Sequence, residues 1–238
     1  MPAAGLGTRM GRAAAEKTGT SRKQFMLLEG SPILVHTVRK FASLNAVTEI
    51  VIAVRGEDRE WVAEMMAGEF PAGRVRVVEG GNSRQQSVSN ALATLASDTD
   101  LVAVHDAVRP FIESETIHKV FDEAAETGAA IVGVPVVDTV KQVSHGTGRV
   151  KIRGTLQREK LVLAQTPQVF RYELLRRAFD LAHKDGFTGT DESSLVERLD
   201  VEVGVVLGSD RNIKITKPGD MDLAHVFFRE FAAKDSGR

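Results

Sequence analysis

Two patterns of apolar and polar positions recur along the chain: short apolar runs, and segments with the 3.6-residue period of a helix. The runs Ile50–Val54 and Leu101–Val104 contain no polar residue, which is typical of parallel strands covered on both faces. Segments of helical period separate these runs. The pattern predicts strands at residues 49–54, 74–78, 101–104, 129–137 and 202–207, and helices at residues 33–43, 58–68, 85–95, 113–126, 172–184, 191–199 and 222–233.

Alternation of strands and helices at this spacing predicts an α/β fold with a doubly wound, mostly parallel sheet of the Rossmann-like type. The pattern changes after Pro135, where residues 138–144 and 149–153 flank a glycine turn. We predict a hairpin there, within a β-arm at about residues 138–160 that projects from the sheet. Extended chain follows at residues 161–170. Without a repeat or linker in the sequence, we expect residues 1–238 to form a single domain.

Composition narrows the class of protein. Of 238 residues, 42% are hydrophobic and 26% charged, and the net charge of −1 offers no general attraction for nucleic acid or an anionic membrane. Cysteine is absent, so disulfides and Cys-ligated zinc are excluded. No apolar run approaches the roughly 20 residues of a membrane span, and no secretory signal precedes the first element. We therefore expect a cytoplasmic protein.

The amino-terminal segment carries the first candidate chemistry. Residues 2–11 read PAAGLGTRMG, and Lys23 follows. Small residues and glycines let backbone N–H groups approach an anion, and Arg9 and Lys23 add positive charge, so the segment is typical of a triphosphate-binding loop. It lacks the spacing of a P-loop, and Met10 replaces the third glycine of a dinucleotide fingerprint. An ordinary glycine-rich surface turn remains the alternative.

Polar clusters follow three predicted strands, at the edge of the sheet where ligands of α/β proteins bind. Asp106 is suited to Mg²⁺, which often takes one or two protein carboxylates together with phosphate oxygens. Arg109 suits a phosphate, although a local Asp106–Arg109 ion pair is the alternative. For His105 we expect a structural role.

The loop at residues 80–87 offers backbone amides, Asn82 and Ser87 to a base, whereas its alternative role is the helix cap, for which Ser83 or Asn82 is suited. Further candidates lie in the last third of the chain. For Arg158 the alternative is a solvated arm residue, and for Lys214 it is an exposed strand face. Asp191 is suited to cap a helix, and Pro218 to the first position of one.

Six segments in order resemble the 2-C-methyl-D-erythritol 4-phosphate cytidylyltransferase family over roughly residues 2–224. They are PAAGLGTRMG with the following KQF, then VHDAVRPF, DTVK, QTPQVF, TDESSLVE and NIKITKPGD. The resemblance implies a homodimeric nucleotidyltransferase in which each β-arm contributes to the partner's site. It also implies transfer of a cytidylyl group from CTP to the substrate phosphate, with Mg²⁺ and release of pyrophosphate.

The resemblance also implies roles for single residues. Catalytic roles near the α-phosphorus and the phosphates fall to Arg9, Lys23 and Lys214, and the nucleotide would be held by Pro2, Ala3, Ala4, Gly5, Gly7, Gly81, Asn82 and Ser87. The substrate phosphate and alcohol would be held by Asp106, Arg109, Thr139, Arg158, Thr166 and Thr190, with Asp106 also coordinating Mg²⁺. Thr139 and Arg158 would act in the partner's site.

Two departures from the family pattern stand out. The short apolar strand that normally precedes the glycine loop is absent, and Pro2 already falls in the loop. We expect that residues upstream of Met1 belong to the natural protein. The segment at residues 11–22 is also longer than the pattern, which makes Lys17 a rival to Lys23 as a phosphate ligand.

Three other functions are compatible with parts of the sequence. A cytidylyltransferase of ribitol 5-phosphate shares the loop and the HD-x-x-RP segment, whereas DTVK and TDESS favour methylerythritol phosphate. A sugar-1-phosphate nucleotidyltransferase conflicts with the short chain. A non-catalytic nucleotide-binding module would not need both Lys23 and Asp106.

Overall fold

The predicted alternation of strands and helices is present in the computed structural model, which describes residues 1–5, 22–146 and 149–236. The strands are β1 (Leu27–Leu28), β2 (Ser31–Pro32), β3 (Ile50–Val54), β4 (Val75–Glu79), β5 (Leu101–Val104), β6 (Ala129–Pro135), β7 (Lys141–Gly146), β8 (Arg149–Thr155), β9 (Val162–Arg171) and β10 (Gly204–Leu207). The α-helices are α1 (Ile33–Ala42), α2 (Arg59–Glu69), α3 (Arg84–Leu92), α4 (Ser114–Thr127), α5 (Tyr172–Lys184), α6 (Ser193–Val196) and α7 (Pro218–Ser236).

The main sheet has the strand order β10-β6-β9-β5, and β3 pairs with β4 in a second sheet. Strands β6 and β10 are parallel, as are β3 and β4, whereas β9 runs antiparallel to both of its neighbours. Since β9 alone is reversed in its sheet, the predicted α/β fold with a mostly parallel sheet is confirmed. Strand β3 is buried along its whole length, as its apolar run predicted.

Helices with a clear apolar face begin and end close to their predicted limits. Helix α5 spans the predicted residues, and Leu175, Ala178 and Ala182 bury one face of it. The predicted helix at 191–199 is shorter: after α6 the chain forms a 3₁₀ turn, and Asp200 then adopts a left-handed conformation with φ of 56°. Among the described helices, none combines the length and apolarity needed to cross a bilayer.

Helix α7 begins four residues before the predicted start, with Pro218 in the first position. The Asp220 carboxylate accepts hydrogen bonds from the backbone N–H groups of Thr216 and Lys217 at 2.7 and 2.8 Å. The Asp220 side chain thus pairs two backbone N–H groups just before the helix, and it fixes the beginning of the helix.

The predicted hairpin is formed by β7 and β8, which pair antiparallel in a two-stranded sheet of their own. Its side chains are largely exposed, and Ile152 retains 66% of its accessible surface. Because a two-stranded hairpin has little core of its own, its apolar side chains are left in contact with solvent.

The first three residues correct one expectation from the sequence. Pro2 is not in a loop: it forms a parallel bridge with Ala53, and the Met1 amino group donates to Val51 O at 2.6 Å. Residues 1–3 therefore lie beside β3 in parallel pairing. Burial lowers the pKa of this amino group to about 5.

A mostly apolar cavity of about 320 Å³ lies between β3 and β5, which belong to separate sheets. Side chains of α3, β5 and α4 line it together with Met1. In the described residues no strand joins β3 to β5, so the two sheets remain separate at this cavity.

Candidate active site

A cavity of about 450 Å³ opens at the carboxyl ends of the strands and collects most of the predicted site residues. Each loop reaches it directly from a strand: the glycine loop from residues 1–3, the next from β4 and the third from β5. Predicted residues among its lining are Pro2, Ala3, Ala4, Gly5, Lys23, Gly81, Asn82, Ser87, Asp106 and Lys214. Residues that follow β4 and β5 therefore lie together around this cavity, whereas the cluster at Thr139 is not among its described lining residues.

The glycine loop is braced by a side chain that the sequence did not single out. The Gln24 amide donates to Ala3 O at 2.7 Å and to Gly5 O at 3.2 Å, and the residue is buried. Lys23 precedes it and lines the cavity. Gly7, Arg9 and the rival Lys17 lie outside the described residues.

The loop between β4 and α3 has the alternative structural roles that we considered. Ser83 caps α3 by accepting from Gln86 N at 3.0 Å. The Ser87 hydroxyl accepts from Gly81 N at 3.0 Å and donates to Ser83 O at 2.8 Å, so it shapes the loop. A Cβ on Gly80 would lie 2.8 Å from Ala4 Cβ, and this close approach brings the two loops together.

Asp106 is the electrostatic centre of the cavity. Lys214 Nζ lies 2.7 Å from Oδ2, Arg84 Nε lies 3.2 Å from Oδ1, and Arg109 Nε lies 3.6 Å from Oδ2. Burial by itself raises a carboxyl pKa, but Lys214 and Arg84 outweigh it and hold the pKa of Asp106 well below its usual range. The carboxylate is therefore ionised throughout the neutral range. Lys214 faces this carboxylate rather than lying on an exposed strand face.

A buried hydrogen-bond chain fixes the backbone of Asp106. Its N–H donates to Thr166 Oγ1 at 3.0 Å, and Thr166 Oγ1 lies 3.0 Å from His105 Nδ1. His105 Nε2 lies 3.0 Å from Arg109 O. The expected structural role of His105 fits this position. Thr166 supports the backbone of Asp106, but it is buried and is not among the described residues that line the cavity.

Two charged residues that the sequence analysis assigned no role belong to the site. Arg84 joins Asp106 to Glu192, with Arg84 Nη1 donating to Glu192 Oε1 at 2.7 Å. A cation in the first turn of α3 opposes the helix dipole, and this was the available signal for Arg84. Burial raises the pKa of Glu192 although Arg84 opposes it.

The remaining predicted residues lie farther from the cavity. Thr190 is exposed and lies two residues before Glu192, and Asp191 caps α6 by accepting from Ser194 N at 3.1 Å. Thr139 and Arg158 are exposed near the hairpin, where Arg158 Nη1 donates to Val137 O at 2.6 Å. Neither is among the described residues that line the cavity of its own chain.

The side chains at the cavity are compatible with a magnesium ion that takes most of its ligands from phosphates and water. No cluster of three or more metal-binding side chains occurs in the described residues. Asp106 is an ionised carboxylate at a cavity wall, and Mg²⁺ needs only one or two such groups when phosphates and water supply the rest. The residues thus fit an ion that arrives with a nucleotide.

The chain is similar to known proteins of one family over nearly its whole length. Residues 1–230 match the family model described as IspD: 2-C-methyl-D-erythritol 4-phosphate cytidylyltransferase. The 2-C-methyl-D-erythritol 4-phosphate cytidylyltransferase of Solibacter usitatus is 74% identical over 236 residues, covering 99% of this chain and 97% of that protein. Its counterpart from Acidobacterium capsulatum is 52% identical over 235 residues, covering 98% of each. The crystal structure of 4-diphosphocytidyl-2C-methyl-D-erythritol synthase from Anaerococcus prevotii superposes with a TM-score of 0.81 at 26% identity, covering 96% of this chain and 93% of that one.

An α/β sheet with a glycine-rich segment and several cations around one carboxylate is the arrangement expected of a nucleotidyltransferase. With a family match over residues 1–230 and a relative of 74% identity, the chain belongs to the 2-C-methyl-D-erythritol 4-phosphate cytidylyltransferase family. It is an enzyme that transfers a cytidylyl group to 2-C-methyl-D-erythritol 4-phosphate in isoprenoid biosynthesis. The family match selects this substrate over ribitol 5-phosphate and over a sugar 1-phosphate, and it confirms the resemblance read from the six segments.

Proposed function

We propose that the cytidylyl transfer takes place in the 450 Å³ cavity around Asp106. A phosphate oxygen of 2-C-methyl-D-erythritol 4-phosphate attacks the α-phosphorus of CTP, and pyrophosphate leaves. The observation that carries this proposal is the group of cations around one ionised carboxylate, with Lys214 at 2.7 Å and Arg84 at 3.2 Å. Such a group offsets the repulsion between two polyanions. Because a phosphate is already ionised near neutral pH, no strong general base is needed.

Each side of the cavity has a proposed substrate component. The cytidine is held by Pro2, Ala3, Ala4, Gly5, Gly7, Gly81, Asn82 and Ser87. Arg9 and Lys23 contact the triphosphate, and Lys214 and Arg109 contact the phosphates of substrate or nucleotide. Thr166 and Thr190 border the alcohol phosphate. Phosphoryl-type transfer depends chiefly on positioning and charge stabilisation, which these residue types supply.

Asp106 is the residue that would hold Mg²⁺. The ion would supply charge neutralisation on the phosphate oxygens of the nucleotide. The low pKa of Asp106 supports this role, because the carboxylate stays ionised throughout the neutral range.

We also propose a homodimer in which Thr139 and Arg158 act in the partner's site. The apolar side chains exposed along and beside the hairpin support this assembly, because a second copy would cover them. They are Val137, Val143, Val150, Ile152, Leu156, Val162 and Leu163. A cytoplasmic location, which we also propose, agrees with the absence of cysteine. We further propose that residues 1–238 form one domain.

Pyrophosphate release with CTP, Mg²⁺ and 2-C-methyl-D-erythritol 4-phosphate tests the proposal directly. Asp106→Asn, Lys23→Ala and Arg9→Ala are each expected to lower the turnover rate about 100-fold or more. The first removes the carboxylate proposed to hold Mg²⁺, and the other two remove positive charge proposed to face the reacting phosphates. Lys17→Ala and the exposed Asp98→Asn serve as controls and should retain the wild-type rate.

Two outcomes would contradict the assignment. If Lys23→Ala kept full turnover while Lys17→Ala abolished it, the lysine role would be wrong. If the wild-type chain bound CTP but released no pyrophosphate with either methylerythritol phosphate or ribitol 5-phosphate, it would be a non-catalytic nucleotide-binding module.

A further inference from the structure

One ion pair connects the two sides of the cavity. Arg84 opens α3 directly after the loop proposed for the base, and Glu192 lies two residues after Thr190 on the side proposed for the alcohol phosphate. Arg84 Nη1 donates to Glu192 Oε1 at 2.7 Å, and Arg84 Nε to Asp106 Oδ1 at 3.2 Å. The Arg84 guanidinium therefore links the loop proposed for the base, the side proposed for the alcohol phosphate and the central carboxylate of Asp106.

The burial of Glu192 is unusual for a carboxylate. It is only 1% exposed, and in the described structure its Oε2 atom has no hydrogen-bond partner. Gln168 Oε1 accepts from the backbone N–H of Glu192 at 3.1 Å, which fixes the residue against the sheet. Burying a charge costs stability, and Arg84 provides its one direct ion pair among the described residues. The buried Glu192 carboxylate thus lowers the folding stability, and in return it holds the Arg84 guanidinium in place.

Arg84 needs such an anchor because its other acceptor is shared. Lys214 and Arg109 also face Asp106. On the proposed function, this carboxylate would hold Mg²⁺ when the nucleotide is bound. Arg84 would then lose its contact with Asp106. Its side chain is 29% exposed, so without a second acceptor it could turn to solvent. Glu192 keeps it at the cavity wall, where the unused N–H groups of the guanidinium suit phosphate oxygens.

We propose that Glu192 is a positioning residue that holds Arg84 in place to bind the phosphates of the nucleotide. This inference rests on the proposed function, and it adds a residue whose only access to substrate is through Arg84. Glu192 forms no part of the cavity lining among the described residues, so it acts without touching the ligand itself.

Glu192→Gln tests the proposal because it removes the charge and keeps the shape. We expect kcat/KM for CTP to fall about tenfold, since a charge-anchored guanidinium is replaced by a weakly held one. The melting temperature should fall by only a few degrees, because Arg84 is partly exposed and keeps Asp106 as a partner in the unliganded protein. Glu173→Gln is the matched control: it removes a carboxylate 2.8 Å from Arg176 on the exposed face of α5 and should change neither quantity.

A double-mutant cycle separates positioning from a general structural effect. If Glu192 acts through Arg84, the variant carrying both Arg84→Lys and Glu192→Gln loses no more of kcat/KM than the worse single variant. Losses that multiply would overturn the proposal. If Glu192→Gln does not fold, Glu192→Asp takes its place in the same cycle, with the same two outcomes.

CTP affinity, measured by calorimetry without the second substrate, gives a readout independent of turnover. We expect Glu192→Gln to bind CTP about tenfold more weakly than the wild type. Equal affinities would contradict the positioning role. A wild-type chain that binds CTP and shows no turnover would instead contradict the proposed function, so the two failures are distinguishable.

Discussion

At the scale of single residues, His105 gives the sharpest expectation. A carbonyl only accepts, so Nε2–H donates to Arg109 O and Nδ1 accepts from the Thr166 hydroxyl. The hydrogen bonds therefore hold the neutral imidazole. Burial lowers the pKa of His105 to about 4, whereas an unfolded histidine titrates near 6.5.

Because the unfolded chain binds more protons between these two values, the free energy of unfolding should fall as the pH drops through this window. From pH 7 to pH 5 this histidine should remove about 2 kcal/mol, as measured by urea denaturation. His105→Gln should lose this part of the pH dependence, while the buried Met1 amino group titrates alike in both proteins. Equal slopes in the two proteins would show that His105 does not carry the effect.

Residue types alone predicted Asp106 and Lys23, because a carboxylate at a strand end and a lysine after a glycine loop suit a nucleotide. They did not predict the partnership of Arg84 with Glu192, which are 108 positions apart. In the sequence Glu192 looks like one of several acidic residues at a helix start. Only the packing of α6 against the sheet buries it and turns it toward Arg84.

At the scale of elements, the cavity between β3 and β5 offers room for additional paired backbone. It is lined mainly by apolar side chains and borders the paired residues 1–3. Four β-branched apolar residues added before Met1 should continue the pairing along β3, fill the cavity and replace the buried amino group by a peptide bond. We expect the melting temperature to rise by about 5 °C, because more apolar surface is buried.

A Gly-Ser-Gly-Ser extension of equal length is the matched control. It offers the same backbone but no apolar side chains, so it should raise the melting temperature far less. If both extensions stabilised the protein equally, filling of the apolar cavity would not be the cause. Differential scanning calorimetry of the two extended chains beside the original chain makes the comparison.

Elements with strong periodicity could be predicted from the sequence, and those defined by local caps could not. Helix α5 was located correctly because its apolar face is continuous. Helix α7 begins earlier than its apolar pattern, since the Asp220 cap rather than hydrophobicity determines its start. The pattern also could not predict the reversed direction of β9, because an apolar run carries no information on strand direction.

At the scale of the whole molecule, the hairpin poses a question that a single chain does not answer. Arg158 is suited to a phosphate and Thr139 to an alcohol. Neither residue borders the cavity of its own chain in the part described. Nearby apolar side chains are exposed, including Leu163 at 58%. Both observations are accounted for if the hairpin of one copy reaches the cavity of the other.

Heterodimers prepared from two inactive variants test this arrangement. One copy carries Arg158→Ala, the other Asp106→Asn, and different affinity tags allow the mixed dimer to be purified. If Arg158 serves the partner's cavity, one of the two sites in the mixed dimer is intact, and about half of the wild-type turnover returns. If Arg158 serves its own chain, both sites are defective and no turnover returns. The reciprocal pairing distinguishes the same two cases: a wild-type copy joined to a copy carrying both substitutions should be inactive when the hairpin acts across the dimer, and half-active when it does not.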